Sequence, residues 1–239
     1  MIYAVGDIHG QLGQLERVLS LIEQDGGKDA RVIFLGDYTD RGPDSSGVLD
    51  LLIQEQTSGR DWVFLKGNHD RMFEWFMQEE PKHDPYLLVG YHWLHERLGG
   101  IETLASYGLV FPDRTRLIDV HEMASYAVPA EHLAFLQGLD LYHQEDGKLF
   151  VHAGIRPGVA WEEQTETDLL WIRQEFHEDT RQHPWLVVHG HTPVERATHY
   201  GNRINLDSGA GYGKPLSCAV FEGERAYLLT ESGRSRLIP

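Results

Sequence analysis

Three short apolar runs open the chain: Ile2-Tyr3-Ala4-Val5, Val32-Ile33-Phe34-Leu35 and Trp62-Val63-Phe64-Leu65. Each has the length of a buried strand and is too short for a helix. Behind each run the apolar positions take up helical spacing. Leu12, Leu15, Val18, Leu19 and Ile22 follow the first, Val48, Leu51 and Leu52 the second, and Met72, Phe73 and Phe76 the third. Gly26-Gly27 stops the first helix, and Asp44-Ser45-Ser46 starts the second. Three strand-loop-helix units in succession predict parallel strands with polar residues gathered at their exits, the edge where open α/β sheets bind ligands.

From Pro81 to about Leu109 the pattern turns aromatic. It predicts helical pieces around Tyr86, Trp93, Leu94 and Leu98, so residues 71–110 are read as a helical excursion off the sheet. Pro129 is expected to open a further helix through His132, Leu133 and Leu136, because its missing N–H costs little in a first turn; Gly138 is the expected stop. The second half is strand-rich: Lys148 to Val151, Trp185 to Val188, Arg203 to Leu206, Leu216 to Phe221 and Arg225 to Thr230, with Gly223-Glu224 as a hairpin turn. The expected fold is α/β, two mixed β-sheets packed as a sandwich and flanked by helices. Residues 1–239 read as a single domain, since no linker, repeat or low-complexity tract divides them.

Composition narrows the function classes. Hydrophobic residues at 41% and aromatics at 10% suffice for a sizeable core, which sets disorder aside. Lysine and arginine number 21 against 37 aspartates and glutamates, a formal charge of -16, which opposes binding to nucleic acid or an acidic membrane. An anionic substrate must then be drawn by a local field, such as bound divalent cations would supply. Cys218 is the sole cysteine, so an intrachain disulfide and a cysteine-rich zinc site are both excluded. The first apolar run leads straight into Gly6-Asp7 without the layout of a signal peptide, and no stretch approaches bilayer length. Cytoplasmic residence is the expectation.

The chemistry-bearing residues cluster at strand exits. Asp7 and His9 follow the first strand, Asp37 the second, Asn68 and His69 the third, His152 follows Phe150-Val151, and His191 follows Val187-Val188-His189-Gly190. A lone Gly-Asp loop is as often a solvated turn, and it is the recurrence that argues otherwise. Carboxylate, amide and imidazole donors without thiolate suit two divalent ions, Mn²⁺ first, then Fe or Zn²⁺. With Asp37 offering one oxygen to each, the ligands divide as Asp7, His9 and Asp37 on one ion and Asp37, Asn68, His152 and His191 on the other. Two metals about 3.5–4 Å apart make hydroxide available at neutral pH and clamp both oxygens of an in-line displacement.

The runs GDIHG (Gly6 to Gly10), GDYTDRG (Gly36 to Gly42), GNHD (Gly67 to Asp70), VHAG (Val151 to Gly154) and GHTP (Gly190 to Pro193) resemble the signature of the phosphoprotein phosphatases. These PPP-type serine/threonine phosphatases lie within the calcineurin-like metallophosphoesterases, and the bacterial and phage lambda phosphatase type is the more similar. The resemblance spans most of the chain and implies the same division of metals. It also implies that His69 is the general acid oriented by Asp40, and that Arg41 clamps phosphoryl oxygens with its planar fork. Asn68, Arg173 and Tyr212 are implied at the substrate face. Two departures stand out: Asp70 replaces the usual glutamate of GNHE and is expected to alter support rather than chemistry. Pro193 stands where nuclease-type relatives carry a second histidine ligand, which disfavours phosphodiesterase chemistry. Of the other histidines, His189 shares an exit with His191, and the rest read as ordinary surface or core residues.

The leading expectation is a two-metal phosphomonoesterase acting on phosphoserine and phosphothreonine in a phosphoprotein or small phosphorylated substrate. The alternative is hydrolysis of dinucleoside polyphosphates such as diadenosine tetraphosphate, because Gly99-Gly100-Ile101-Glu102-Thr103-Leu104 resembles a segment of those enzymes. A non-catalytic binding module is a third reading, and the full complement of chemical residues argues against it.

Overall fold

The computed structural model describes residues 1–112 and 114–239. The three strand-helix units form where the apolar runs predict them: β1 (Ile2–Val5), α1 (Leu12–Gly26), β2 (Arg31–Phe34), α2 (Ser45–Thr57), β3 (Trp62–Phe64) and α3 (Asn68–Phe76). Asp44 caps α2 by accepting the Gly47 N–H, which satisfies one of the donors a helix start leaves free. Then follow α4 (Gly100–Ser106), α5 (Leu117–Ala127), α6 (Ala130–Gln137), β4 (Tyr142–Glu145), β5 (Lys148–Val151), α7 (Glu166–Trp171), α8 (Gln174–His177), β6 (Leu186–His189), β7 (Thr198–His199), β8 (Arg203–Asn205), β9 (Cys218–Glu222), β10 (Arg225–Thr230) and β11 (Gly233–Leu237). Among the described residues no helix is long and apolar enough to cross a membrane.

The strands make two mixed sheets, in the orders β11-β10-β9-β1-β2-β3 and β4-β5-β6-β8-β7. β1, β2 and β3 run parallel, as do β5, β6 and β8; antiparallel strands complete each sheet. Period-two alternation then builds the layers. Ile2, Ala4, Ile33, Leu35 and Phe221 of the first sheet pack on Phe150, Val188 and Ile204 of the second. Their neighbours Tyr3, Val5, Val32 and Phe34 face the other way, onto Leu15, Val18, Val48 and Leu52 of α1 and α2. Leu149, Val151 and Val187 meet Leu169 of α7 and Phe176 of α8. The expected sandwich is therefore realised with helices on both outer faces.

Residues 77–99 depart from expectation. They carry turns, not the helical pieces predicted around Tyr86 and Trp93, and within the excursion only α3 and α4 are helical. The aromatic positions pack as anchors: Trp93 and Leu94 are buried, Trp93 stacked on Phe73 with ring centroids 4.9 Å apart. Helix α5, which buries only Val120 and Ala124, has too thin an apolar stripe to announce itself. Strands β4, β7 and β11 were equally illegible. They are edge strands of polar composition, the usual guard against edge pairing.

The turn segment is tied down by a buried ion pair. Asp84 Oδ2 accepts from Arg71 Nε at 2.9 Å, from Arg71 Nη2 at 2.7 Å and from Trp171 Nε1 at 3.0 Å. One carboxylate thus joins α3, the turns and α7. Asp84→Ala leaves the Arg71 guanidinium buried with only the half-exposed Glu166 at 3.3 Å, and truncation of such a pair costs about 3–5 kcal/mol. We expect a loss of about 3 kcal/mol in urea unfolding, the low end because of Glu166; a change within 0.5 kcal/mol would contradict the anchoring role.

Candidate active site

The exits of β1, β2, β5, β6 and β8 and the start of α3 converge on one edge of the sandwich. The loops there are stitched by backbone. The Ile8 and His9 N–H groups donate to the Asp37 carbonyl at 3.0 and 2.8 Å, and Gly10 N–H donates to the Tyr38 carbonyl at 2.8 Å. Asp70 accepts from Asp37 N–H (2.7 Å) and Gly67 N–H (2.9 Å) on one oxygen and from Tyr38 N–H (3.0 Å) on the other. This carboxylate supports the Asp37 loop and lies behind it. Gly67 is there because a Cβ would sit 2.1 Å from Asp37 Oδ1.

Backbone strain concentrates at the same place. Among the described residues, every non-glycine residue in the left-handed region except Arg114 and Asp146 belongs to the expected site: His9, Asp37, Asp40, Arg41 and His191. Such conformations cost about 1–3 kcal/mol each and persist where the surroundings enforce them.

Two groups of donor atoms form, and Asp37 belongs to both. His9, Asp37 and His69 gather on one side, Asp37, His152 and His191 on the other, the atoms of each within 4.8 Å of one another. Asn68 Oδ1 joins the second group, 3.0 Å from His152 Nε2 and 2.8 Å from His191 Nδ1. Asp7 lies between the sheets' exits: Oδ2 accepts from His191 N–H at 2.9 Å, and Oδ1 is buried without a partner. A Cβ on Gly190 would meet that oxygen at 1.9 Å. His9, Asp37, Asn68, His152 and His191 come together, with two differences: Asp7 belongs to neither group and meets the second only through the His191 backbone N–H. His69, expected as an acid and not a ligand, also stands within ligand range of His9 and Asp37.

Burial shapes the charges. Desolvation, then repulsion from Asp207 and Asp37, pushes the Asp7 carboxyl well above its ordinary value. Asp37 is pushed up to about 7 by desolvation, against the pull of Arg41 and the His69 N–H. The imidazoles move the other way: desolvation lowers His152 to about 4 and, with Arg41 nearby, holds His9 and His69 well below 6.5. Desolvated carboxylates and neutral imidazoles, with an unpartnered buried oxygen among them, are the donor set a pair of divalent cations requires. The residues fit.

Around this core lie the other expected residues. His69 Nδ1 donates to Asp40 Oδ2 at 2.6 Å. Arg41 directs one terminal nitrogen to His9 Nε2 and the other to His69 Nε2, at 2.9 Å in the second case. A guanidinium can only donate, so both imidazole Nε2 atoms accept, and His69 is neutral in this arrangement. The Arg41 guanidinium also lies 4.8 Å from the centre of the Tyr212 ring, which is 61% exposed. Arg173 reaches in from the side of the second group, donating to Thr192 Oγ1 at 3.0 Å. His189 stays outside: Nδ1 donates to the Gly190 carbonyl at 3.1 Å and Nε2 accepts from Arg203 at 3.2 Å. Beyond Arg41 opens a cleft of about 360 Å³ lined by Glu96, Arg97, Glu102 and Tyr212. Asp207 was missed, although it follows β8 as the other acids follow their strands; its Oδ1 accepts from Gly209 N–H at 2.9 Å, and its charge bears on Asp7.

A family model described as calcineurin-like phosphoesterase matches residues 1–216. The bis(5'-nucleosyl)-tetraphosphatase PrpE (asymmetrical) of Geobacillus thermodenitrificans is 27% identical over 241 residues, covering 91% of this chain and 89% of the relative. Its counterpart in Halalkalibacterium halodurans is 26% identical over 243 residues, covering 91% and 88%. Among solved structures, a candidate diadenosine tetraphosphatase is similar with a TM-score of 0.64 at 23% identity, covering 98% of this chain and 93% of that one. A cold-active protein-tyrosine phosphatase of a psychrophilic Shewanella has a TM-score of 0.64 at 17% identity, covering 99% and 80%.

Because Asp37 is the one carboxylate in both donor groups, Asp37→Asn should remove metal and activity together. Elemental analysis of the purified variant checks this; a fully loaded, active protein would rule out the shared position.

Proposed function

The chain belongs to the calcineurin-like phosphoesterase family, and on that footing we propose that it hydrolyses dinucleoside polyphosphates asymmetrically. This reverses the order of the two substrate classes read from the motifs, in which phosphoserine and phosphothreonine came first. Support comes from the relatives, named for asymmetrical bis(5'-nucleosyl)-tetraphosphate hydrolysis along most of the chain. The observation that carries the reading is the cleft of about 360 Å³ leading away from Arg41 under the exposed Tyr212 ring. That volume suits a small-molecule subsite. A nucleobase stacked on an aromatic ring gains about 1–3 kcal/mol, and Glu96 and Glu102 offer acceptors for ribose hydroxyls.

Asp7, His9 and Asp37 would hold one divalent cation, and Asp37, Asn68, His152 and His191 the other. When bound, the pair supplies Lewis acidity towards phosphoryl oxygens and lowers the pKa of water towards neutrality. The side chains do the rest. Arg41 turns its planar fork from the imidazoles to two oxygens of the attacked phosphate, a bidentate match lysine cannot make. That frees His69 Nε2 and removes the nearby cation that opposes its protonation, so Nε2 takes up a proton from solvent and passes it to the leaving oxygen, while Asp40 fixes the ring through Nδ1. Arg173 holds a further phosphate of the chain. Water adds across one terminal phosphoanhydride bond, giving a nucleoside monophosphate and a nucleoside triphosphate.

One observation favours the second reading, monoesters of serine and threonine. A departing phosphate is a weak base, with a second pKa of about 6, and needs little protonation; an alkoxide needs a great deal. The Asp40–His69 pair, buried and 2.6 Å apart, is equipment for the harder leaving group. Steady-state kinetics of Mn²⁺-loaded protein separate the two. We expect kcat/KM for diadenosine tetraphosphate to exceed that for a phosphoserine peptide by at least about 100-fold, with AMP and ATP as products. Equal or reversed preference, or ADP as the sole product, would overturn the assignment. His69→Asn should lower kcat on the phosphopeptide by about 10²–10⁴, and less on the dinucleotide, with two metals per chain retained. Metal loss would make His69 a ligand instead.

A further inference from the structure

The segment between α3 and the end of α4 meets the site at Arg41, whose N–H donates to the Gly99 carbonyl at 3.4 Å, and closes around its neighbour Asp40. Its backbone is left-handed, with φ of 72°, and the N–H donates to Thr103 Oγ1 at 2.8 Å and Ser45 Oγ at 3.1 Å. The Thr103 hydroxyl proton goes to Asp40 Oδ1 at 2.7 Å. Trp93 Nε1 is shared between the two carboxylate oxygens, at 3.0 and 2.9 Å. Together with His69 on Oδ2, the carboxylate has donors on every side and no exposed surface.

Trp93 is itself clamped. Its indole stacks on Phe73 at 4.9 Å and packs on Phe76 at 4.8 Å. A Cβ at Gly100 would also strike the ring, at 2.7 Å. Thr103 is fully buried on the first turns of the same short helix. Neither side chain hydrogen-bonds to any of the proposed metal ligands.

From this cage, and resting on the reading of His69 as proton donor, we infer that Trp93 and Thr103 are positioning residues of the phosphoester cleavage. They hold the Asp40 carboxylate in one orientation so that Oδ2 faces His69 Nδ1 and Nε2 faces the leaving oxygen. A carboxylate lacking those donors can rotate about its Cβ–Cγ bond, and the imidazole swings with it. Misalignment then costs rate only where the leaving group needs a proton, since the donor acts in the transition state and not in substrate binding. Loss of an orienting partner of this kind typically costs about 10- to 100-fold.

The test uses the Mn²⁺-loaded full chain on phenyl phosphate, whose leaving group has a pKa of about 10, and on the more activated p-nitrophenyl phosphate. Trp93→Phe keeps the stacked ring and loses the N–H; Thr103→Val keeps the shape and loses the hydroxyl. Each should lower kcat on phenyl phosphate about tenfold or more and on p-nitrophenyl phosphate less than threefold, with KM and metal content unchanged. Gly100→Ala, which displaces the indole without touching Asp40, should give the same split, and Thr103→Ser should stay within twofold of the parent on both substrates. Equal losses on both substrates, a loss of metal, or a Thr103→Ser defect as large as that of Thr103→Val would overturn the inference. His69→Asn serves as the reference. If it shows no split, the proton-donor reading fails; if it shows one and the cage variants do not, the positioning role alone is wrong.

Discussion

Putting several carboxylates out of water at one point is the constraint around which this molecule is arranged. Asp7, Asp37 and Asp207 repel one another, and each is held above its ordinary pKa by desolvation. Hydrogen bonds alone do not offset that. Asp7 Oδ1 has none, and the guanidinium of Arg41 is directed at imidazoles. A cluster of this kind is tolerable only where concentrated positive charge is to be received. The family's pair of divalent cations meets that condition.

The architecture follows from the need to aim many short side chains at one volume. Asp and Asn reach only a few bonds from the backbone, so the backbone itself must come close. Two parallel strand sets, β1-β2-β3 and β5-β6-β8, end at the same edge of the sandwich and deliver the loops side by side. The last ångströms are gained by left-handed residues and by glycines such as Gly67 and Gly190, where any side chain would collide with Asp37 or Asp7. Asp70 shows how local the support can be: one carboxylate collects three backbone N–H groups from two loops.

Outside the donor cluster the structure divides its labour. The strand exits carry the donor cluster. The turns of residues 77–99 and the helix behind them border the cleft next to Arg41 and enclose Asp40. That segment has few regular backbone ladders and depends instead on single anchors such as the Arg71–Asp84 pair and the Trp93 stack.

Much was determined by the sequence alone. Apolar runs of strand length followed by helical spacing gave the first three units, because burial on two faces leaves a continuous signal. The recurrence of Asp, Asn and His at strand exits marked Asp7, His9, Asp37, Asn68, His152 and His191, because parallel strands deliver the residues that follow them to one edge of the sheet. The aromatic stretch from Tyr86 to Trp93 read as helix and is not, since its side chains serve as isolated plugs whose spacing obeys no period. The polar edge strands gave no pattern because they bury only one flank. Only the tertiary structure decided that His69 stands with His9 and Asp37, that Arg203 keeps His189 out, and that Trp93 and Thr103 close on Asp40 across more than fifty residues of chain. Those contacts join residues distant in the chain, and their geometry arises only when the sheets and the segment after α3 pack together.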